Sequence, residues 1–238
     1  MKAYSFGNEN APVILLLPGT CYHWKSNFGK VIPLLADSYR VLCVSYDGFD
    51  ETERTEFPTI LEETGKIETY IQEHCGGHIR GAYGCSLGGS FVGLLAARGN
   101  IHMDYGILGS SDLDQASPFA AKLQTNLLLP LIYPMIRDGQ FKSRFLQKRL
   151  QKRQAEIGDY VDAFMNMIGG ARPYVTQQSC KKQIQSKIAL HYQKTSAKLS
   201  DSARIPYALQ IRGLQQAIFQ EADVPGVSER RKAVRKME

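Results

Sequence analysis

Short apolar runs alternate with longer stretches of helical character over the first 110 residues of the chain. The apolar runs, each typical of a buried strand, are Val13–Leu17, Tyr39–Tyr46, His78–Tyr83 and Met103–Leu108. Between them, residues 57–74 carry apolar side chains at the spacing of one helix face, and residues 86–98 form a second predicted helix rich in small residues. Uninterrupted apolar strands are typical of a sheet that is covered on both faces. The pattern therefore predicts an α/β fold, with a mostly parallel sheet flanked by helices.

This alternation stops after residue 112. The following residues are mostly helical in character, and a strand pattern returns only at Ile205–Ile211. We therefore expect a single core domain made of residues 1–114 and 205–238. Residues 115–204 are expected to form a helical cap, or lid, inserted over the sheet. After residue 211 no further strand pattern is found, and the sequence is charged.

Charge is unevenly distributed between the two halves of the sequence. Residues 1–136 hold 9 Lys and Arg against 14 Asp and Glu, a net charge of −5, whereas residues 137–238 hold 20 against 9, a net charge of +11. No nucleic-acid-binding signature accompanies the basic half, so nucleic acid is not expected as a partner. The basic amphipathic stretch 140–153 is expected to pack its apolar side on the core. Contact with an anionic membrane surface is the alternative for this stretch.

Cysteine usage and apolar run length exclude further classes. No apolar run approaches the roughly 20 residues of a membrane-spanning helix, and the N-terminus has no signal-peptide pattern. The five cysteines are scattered, without a CxxC pair or metal-ligand spacing, which favours reduced thiols in a cytoplasmic protein. His74 and His78 are four residues apart, but Gly76 and Gly77 would break the helix that a metal pair at this spacing requires. We expect no metal and no other cofactor.

One five-residue motif carries candidate chemistry. Gly84-Cys85-Ser86-Leu87-Gly88 matches G-x-S-x-G between a predicted strand and a predicted helix, the setting of a nucleophile elbow. Such a turn holds the serine oxygen clear of the backbone, and the two flanking glycines let strand and helix pass closely without Cβ clashes. The amide of Leu87, at the helix N-terminus, is then expected to face the same point and to stabilise oxyanion charge.

Together with the first apolar strand and the loop after it, this motif resembles the α/β-hydrolase family. The family commonly has His-Gly at the end of that strand and a tryptophan shortly after. This chain has Pro18-Gly19 there, and Trp24 is in the expected place. Asp47-Gly48-Phe49 is similar to the family's Asp-x-x-Gly turn in a shortened form. The resemblance covers residues 1–112, and 205–211 as the next core strand.

The resemblance implies a serine hydrolase of the acyl-transfer class that acts on a carboxylic ester or a similar small substrate. Ser86 would be the nucleophile, and the backbone amides of Thr20 and Leu87 would form the oxyanion hole. Apolar residues of the cap suggest a partly hydrophobic acyl pocket. They are Leu127, Leu128, Leu129, Ile132 and Tyr133.

The rest of a catalytic triad is not evident in the sequence. The family order is Ser, then Asp or Glu, then His, but no histidine follows 205–211. In one explanation the tail after Ala208 is truncated or altered, for example by a change of reading frame. In a second, His23 or His191 is the base and Asp112 the acid, although packing and helix capping are simpler roles for His23 and Asp112. In a third, the protein is a non-catalytic relative that binds a ligand or a partner.

Overall fold

A computed structural model describes residues 1–109, 116–139, 148, 152 and 154–190 of the chain. Within these ranges, five strands form one sheet in the order β1-β3-β2-β4-β5. The strands are β1 (Lys2–Phe6), β2 (Val13–Leu17), β3 (Arg40–Ser45), β4 (His78–Cys85) and β5 (His102–Gly109). Strands β2 to β5 are parallel, and β1 pairs antiparallel with β3. The predicted mostly parallel sheet is therefore confirmed, with four of its five expected strands present; the fifth, Ile205–Ile211, lies outside these ranges.

Helices cover both faces of this sheet, which explains the uninterrupted apolar strands. They are α1 (Trp24–Phe28), α2 (Ile32–Ala36), α3 (Ile60–Cys75) and α4 (Leu87–Arg98). Along β2, Leu15 and Leu17 belong to one buried cluster with residues of α3 and α4, while Leu16 belongs to a second cluster with residues of α1 and α2. Alternate side chains of a strand point to opposite faces, so a strand with a helix layer on each side must be apolar throughout.

Strand β1 was not predicted from the sequence. Its residues are mostly half-buried and it pairs with β3 alone, so it lacks the continuous apolar run of the inner strands. Its aromatic side chains cover Trp24 of α1. The ring of Tyr4 stacks on Trp24 with centroids 4.5 Å apart, and Phe6 lies 5.6 Å from the same ring.

Helix α3 has the ends that its sequence predicts. Thr59 caps the N-terminus, where its side chain accepts a hydrogen bond from the amide of Glu62. Gly76 ends the helix in the left-handed conformation with φ of 61°. The buried face includes Ile60 and Ile67, and it packs against the sheet.

The described part of the region after β5 is helical, as expected. It contains α5 (Pro118–Asp138), α6 (Gln154–Gly169) and α7 (Gln177–Ile188). Their buried apolar residues join the same hydrophobic cluster as α3 and α4. None of the helices in the described ranges is long and apolar enough to cross a membrane. The division into a core of 1–114 and 205–238 and a cap of 115–204 stays a prediction.

Several predicted features lie outside the described residues. They are the strand Ile205–Ile211, most of the basic stretch 140–153, and the tail after Ala208.

Candidate active site

Ser86 occupies the turn that joins β4 to α4. Its backbone has φ of 51° and ψ of −106°, a conformation that a non-glycine residue adopts at a cost of about 1–3 kcal/mol. The amide of Ser86 donates to the carbonyl of Gly109 at the end of β5, over 2.6 Å, and its carbonyl accepts from the amide of Gly89 at 3.0 Å. Its hydroxyl has no hydrogen-bond partner among the residues that the structure describes. The fold thus holds a half-buried serine in a strained turn with its oxygen uncommitted.

The two glycines of the motif are required by space. A Cβ on Gly84 would lie 2.1 Å from the carbonyl carbon and oxygen of Gly88. A Cβ on Gly88 would lie 2.0 Å from the carbonyl oxygen of Leu17, the last residue of β2. Both obstacles are backbone atoms, which cannot rotate away as a side chain can. The G-x-S-x-G spacing therefore follows from the close approach of α4 to β4 and β2.

The same close approach brings the loop after β2 to the turn at Ser86. Strands β2 and β4 are parallel neighbours, and Leu17 pairs with Gly84. Ser86 lies two residues beyond Gly84, and Thr20 lies three residues beyond Leu17. The carbonyl oxygen of Pro18 also lies 3.0 Å from where a Cβ of Gly88 would be. The register thus places the loop Pro18–Thr20 against the start of α4.

Most backbone amides in this loop already have acceptors. The amide of Gly19 donates to Asn27 Oδ1 at 3.0 Å, and the amide of Cys21 donates to Gln183 Oε1 at 2.6 Å. The amide of Tyr22 donates to the Gly19 carbonyl at 3.1 Å. Within the described ranges, the amide of Thr20 has no acceptor. Neither has the amide of Leu87, the first residue of α4, where the helix provides none. The two amides predicted to hold an oxyanion therefore both lack an acceptor among the described residues.

Helix α7 holds this loop from the other side. Gln183 is fully buried, and its side chain fixes the amide of Cys21, the neighbour of Thr20. Cys21 has a φ of 59°, so it and Ser86 are the two non-glycine residues of the described chain with positive φ. The Cys21 thiol lies 3.3 Å from the thiol of Cys180, one turn before Gln183. The hydrogen bond to Cys180 and burial raise the pKa of Cys21, so the Cys21 thiol stays protonated.

The loop after β3 is anchored by α7 as well. Ser179 Oγ accepts a hydrogen bond from the amide of Phe57 at 3.1 Å. Gly48, with φ of 81°, leaves room for that hydroxyl, since a Cβ there would lie 2.4 Å from Ser179 Oγ. Sequence reasoning did not single out Ser179, Cys180 or Gln183. The sequence marks them only weakly, because each is a small or polar residue in a mostly polar helix. Their roles depend on the distant residues that they contact in the folded protein.

Asp47, in the family-like turn after β3, is a structural anchor. Its carboxylate pairs with Lys66 and with the N-terminal amine of Met1. Burial opposes ionisation, but these two cations hold the pKa of Asp47 below its usual range. Glu63 Oε1 accepts a hydrogen bond from the amide of Asp47 at 2.8 Å. Burial raises the pKa of Glu63 to about 7.

His23 lies at the carboxyl edge of the sheet but is occupied by other contacts. Its Nδ1 accepts from the amide of Lys25, which caps α1, and its Nε2 lies 2.5 Å from Glu51 Oε2. Because Nδ1 accepts, Nε2 carries the proton and donates to the carboxylate. Both ring nitrogens are therefore engaged, as the packing interpretation of His23 expected.

Three other histidines lie at the opposite edge of the sheet. His78 begins β4 and His102 begins β5, while His74 is in the last turn of α3, close to the start of β4. The eight strand residues between His78 and Ser86 span about 26 Å at about 3.3 Å per residue. None of these imidazoles reaches the candidate nucleophile. The remaining candidates, His191 and Asp112, lie outside the described residues.

The apolar residues predicted to line an acyl pocket divide between two environments. Leu129 is 5% exposed and belongs to the core, whereas Leu127 is 72% and Leu128 39% exposed. Leu127 and Leu128 are therefore exposed on α5, whereas Ile132 and Tyr133 are partly buried against the core. A separate open cleft between α5 and α7 includes Leu129 and Lys181, but no residue of the Ser86 turn or the Pro18–Thr20 loop.

The parallel strands, the helices on both faces and the strand–turn–helix at Ser86 define a fold of the α/β-hydrolase type. The sequence matches the alpha/beta hydrolase fold family over residues 12–209. The protein belongs to this family. The matched region ends at residue 209, close to the start of the charged tail that follows the predicted strand Ile205–Ile211.

Solved structures with the same fold include three with low sequence identity. An alpha/beta hydrolase family protein from Desulfitobacterium hafniense is 19% identical with a TM-score of 0.62, over 79% of this chain and 72% of that one. The enol-lactonase from Burkholderia xenovorans LB400 is 16% identical with a TM-score of 0.52, over 82% and 72%. A thermophilic esterase from Thermogutta terrifontis is 18% identical with a TM-score of 0.53, over 79% and 66%. A search of curated proteins gives no significant match.

Proposed function

We propose that the protein is a serine hydrolase of the acyl-transfer class, with a carboxylic ester or a similar small acyl compound as substrate. The observation that carries the proposal is the turn at Ser86. There a strained, half-buried serine directly precedes Leu87, and the backbone amides of Leu87 and Thr20 have no acceptor in the described part of the chain. An esterase and an enol-lactonase among the structures of the same fold support a substrate with an ester-type carbonyl.

In this reaction Ser86 Oγ attacks the carbonyl carbon of the substrate. The carbonyl oxygen takes up negative charge, and the amides of Thr20 and Leu87 donate hydrogen bonds to it. Collapse of the tetrahedral intermediate breaks the bond to the leaving alcohol and leaves an acyl group on Ser86. Water then hydrolyses this ester and restores the serine.

A base must take the proton of Ser86, because a neutral serine is a poor nucleophile. His23 is engaged by Lys25 and Glu51, and the histidines at the other edge of the sheet are too distant. His191 and Asp112 therefore remain the candidate base and acid. In the proposed arrangement the cap supplies the base, while the turn and the loop after β2 supply the nucleophile and the oxyanion hole.

A fluorophosphonate probe tests the proposal directly, since it labels serines that are activated as nucleophiles. We expect one label per chain, lost in Ser86→Ala and retained in Ser38→Ala, a control at an exposed serine. Folding of each variant is checked by circular dichroism. Absence of label on folded wild-type protein, or a label that survives Ser86→Ala, would contradict the proposal.

A second candidate function is a non-catalytic, hydrolase-fold binding protein. The observation that favours it is that no histidine in the described ranges contacts Ser86. The His191→Ala variant separates the two. If His191 is the base, the rates of Ser86 labelling and of hydrolysis of a short-chain nitrophenyl ester both fall by about 10²-fold or more. A wild-type protein that neither takes label nor hydrolyses the ester supports the binding function.

A further inference from the structure

Two histidines and an aspartate meet at the amino edge of the sheet, away from Ser86. In the parallel pairing of β4 with β5, His78 lies directly opposite His102. Asp104 follows His102 by two residues, so strand periodicity places all three side chains on the same face. In sequence spacing the neighbour of His78 is His74, and Gly76 and Gly77 break the helix that a metal pair there would need. The register provides a different partner for His78.

The distances between these side chains are close to those of a metal centre. Asp104 Oδ1 lies 2.8 Å from His78 Nε2 and 3.3 Å from His102 Nε2, and the three ligand atoms all lie within 4.8 Å of one another. In tetrahedral zinc sites, bonds of about 2.0–2.1 Å place ligand atoms about 3.3 Å apart. Small rotations of two exposed imidazoles are enough to reach that geometry.

A second contact orients the carboxylate. Arg80, two residues after His78 on the same face, donates to Asp104 Oδ2 at 2.9 Å and lies over the ring of Tyr105 at 4.9 Å. Oδ1 is thereby turned toward both imidazoles. Outer hydrogen bonds of this kind orient the carboxylates that bind metals.

We propose that His78, His102 and Asp104 bind a divalent transition metal ion of the zinc class. Two imidazoles with one carboxylate suit zinc and its neighbours, whereas calcium and magnesium prefer oxygen ligands alone. The imidazoles of His78 and His102 are 55% and 75% exposed, which gives an ion free access and leaves its fourth position to water. The site lies at the opposite edge of the sheet from Ser86 and is independent of the proposed hydrolase chemistry.

Calorimetric titration of the full chain with zinc chloride tests the site. We expect one ion per chain for the wild type and at least about tenfold weaker binding for His102→Ala. His74→Ala is the matched control, because His74 is an exposed imidazole near the same edge that stacks on Tyr70 outside the cluster. Equal zinc binding by His102→Ala, or an equal loss in His74→Ala, would overturn the proposal.

Cobalt provides a second, spectroscopic readout. Tetrahedral Co²⁺ absorbs visible light, so we expect a coloured complex in the wild type that His78→Ala and Asp104→Asn do not form. Because these side chains are exposed or half-exposed, we expect both variants to fold, and thermal melts of each variant check this. A wild-type complex without visible bands, or a full-intensity complex in both variants, contradicts the assignment.

Discussion

At its carboxyl end β4 runs into a turn without room for one more carbon atom, whereas at its amino end it follows two glycines with open space around them. A Cβ on Gly88 would lie 2.0 Å from the Leu17 carbonyl oxygen, but one on Gly77 would have no atom within 4 Å. The candidate chemistry at the first end uses backbone amides, which several packed elements must fix. At the second end it uses exposed side chains, which the strand register alone brings together.

The largest expected effect distinguishes these two uses of glycine. Gly88→Ala places a carbon on a backbone carbonyl that cannot move aside, and we expect the unfolding free energy to fall by more than about 4 kcal/mol, a large part of ordinary stability. Gly77→Ala keeps its space but puts alanine at φ of 74°, at a cost of about 1–2 kcal/mol. Urea unfolding of both variants measures the difference. Equal losses of unfolding free energy in the two variants would show that the two ends of β4 do not differ in how tightly they are packed.

A smaller effect is expected where α7 supports the loop after β2. Gln183→Met keeps the volume but removes the acceptor of the Cys21 amide, which leaves a buried donor unsatisfied at about 1–3 kcal/mol. If the loop then shifts the Thr20 amide, fluorophosphonate labelling of Ser86 slows by about tenfold. Gln178→Met, at an exposed position of the same helix, is the control. An unchanged labelling rate in folded Gln183→Met would show that the reactivity of Ser86 does not depend on this contact of α7.

The smallest effect concerns the pH dependence of stability. Burial raises the pKa of Glu63 to about 7, above its ordinary value of 4.5, so the folded state binds more protons than the unfolded state between these values. The unfolding free energy from this group therefore falls as pH rises from about 5 to about 7 and then levels off. Glu63→Gln should flatten this part of the profile, measured by urea unfolding at several pH values.

The control for this effect is Glu73→Gln, an exposed glutamate on the same helix. It should leave the slope of the profile as in the wild type. A Glu63→Gln variant with the wild-type slope would show that Glu63 does not stay protonated in the folded protein.

Much of the sheet could be predicted because each inner strand carries its own signal. Val13–Leu17 is apolar throughout since both faces of β2 are covered, and the observed strand has the same bounds. The turn at Ser86 was also predictable, because a G-x-S-x-G motif between a strand and a helix is typical of it. Strand β1 was missed because it pairs on one side only, and a half-buried strand such as Lys2–Phe6 has no continuous apolar pattern.

The contacts around the candidate site were beyond sequence reasoning for a different reason. Gln183 meets Cys21 across more than 150 residues of chain, and no local pattern in a polar helix marks the one side chain that becomes fully buried. Likewise, the sequence spacing of His78 and His102 has no meaning until the two strands are known to be neighbours in a given register.

The sequence by itself determined the α/β class and the order of strands β2 to β5 along the chain, because these depend on interactions within a few residues. It also marked a serine between two glycines, although the backbone that makes Gly88 obligatory belongs to β2. Only the tertiary structure decided which amides lack an acceptor among the described residues, that both nitrogens of His23 are engaged, and that three histidines lie at the far edge of the sheet. These features depend on which distant segments come into contact, and that is set by packing and strand register.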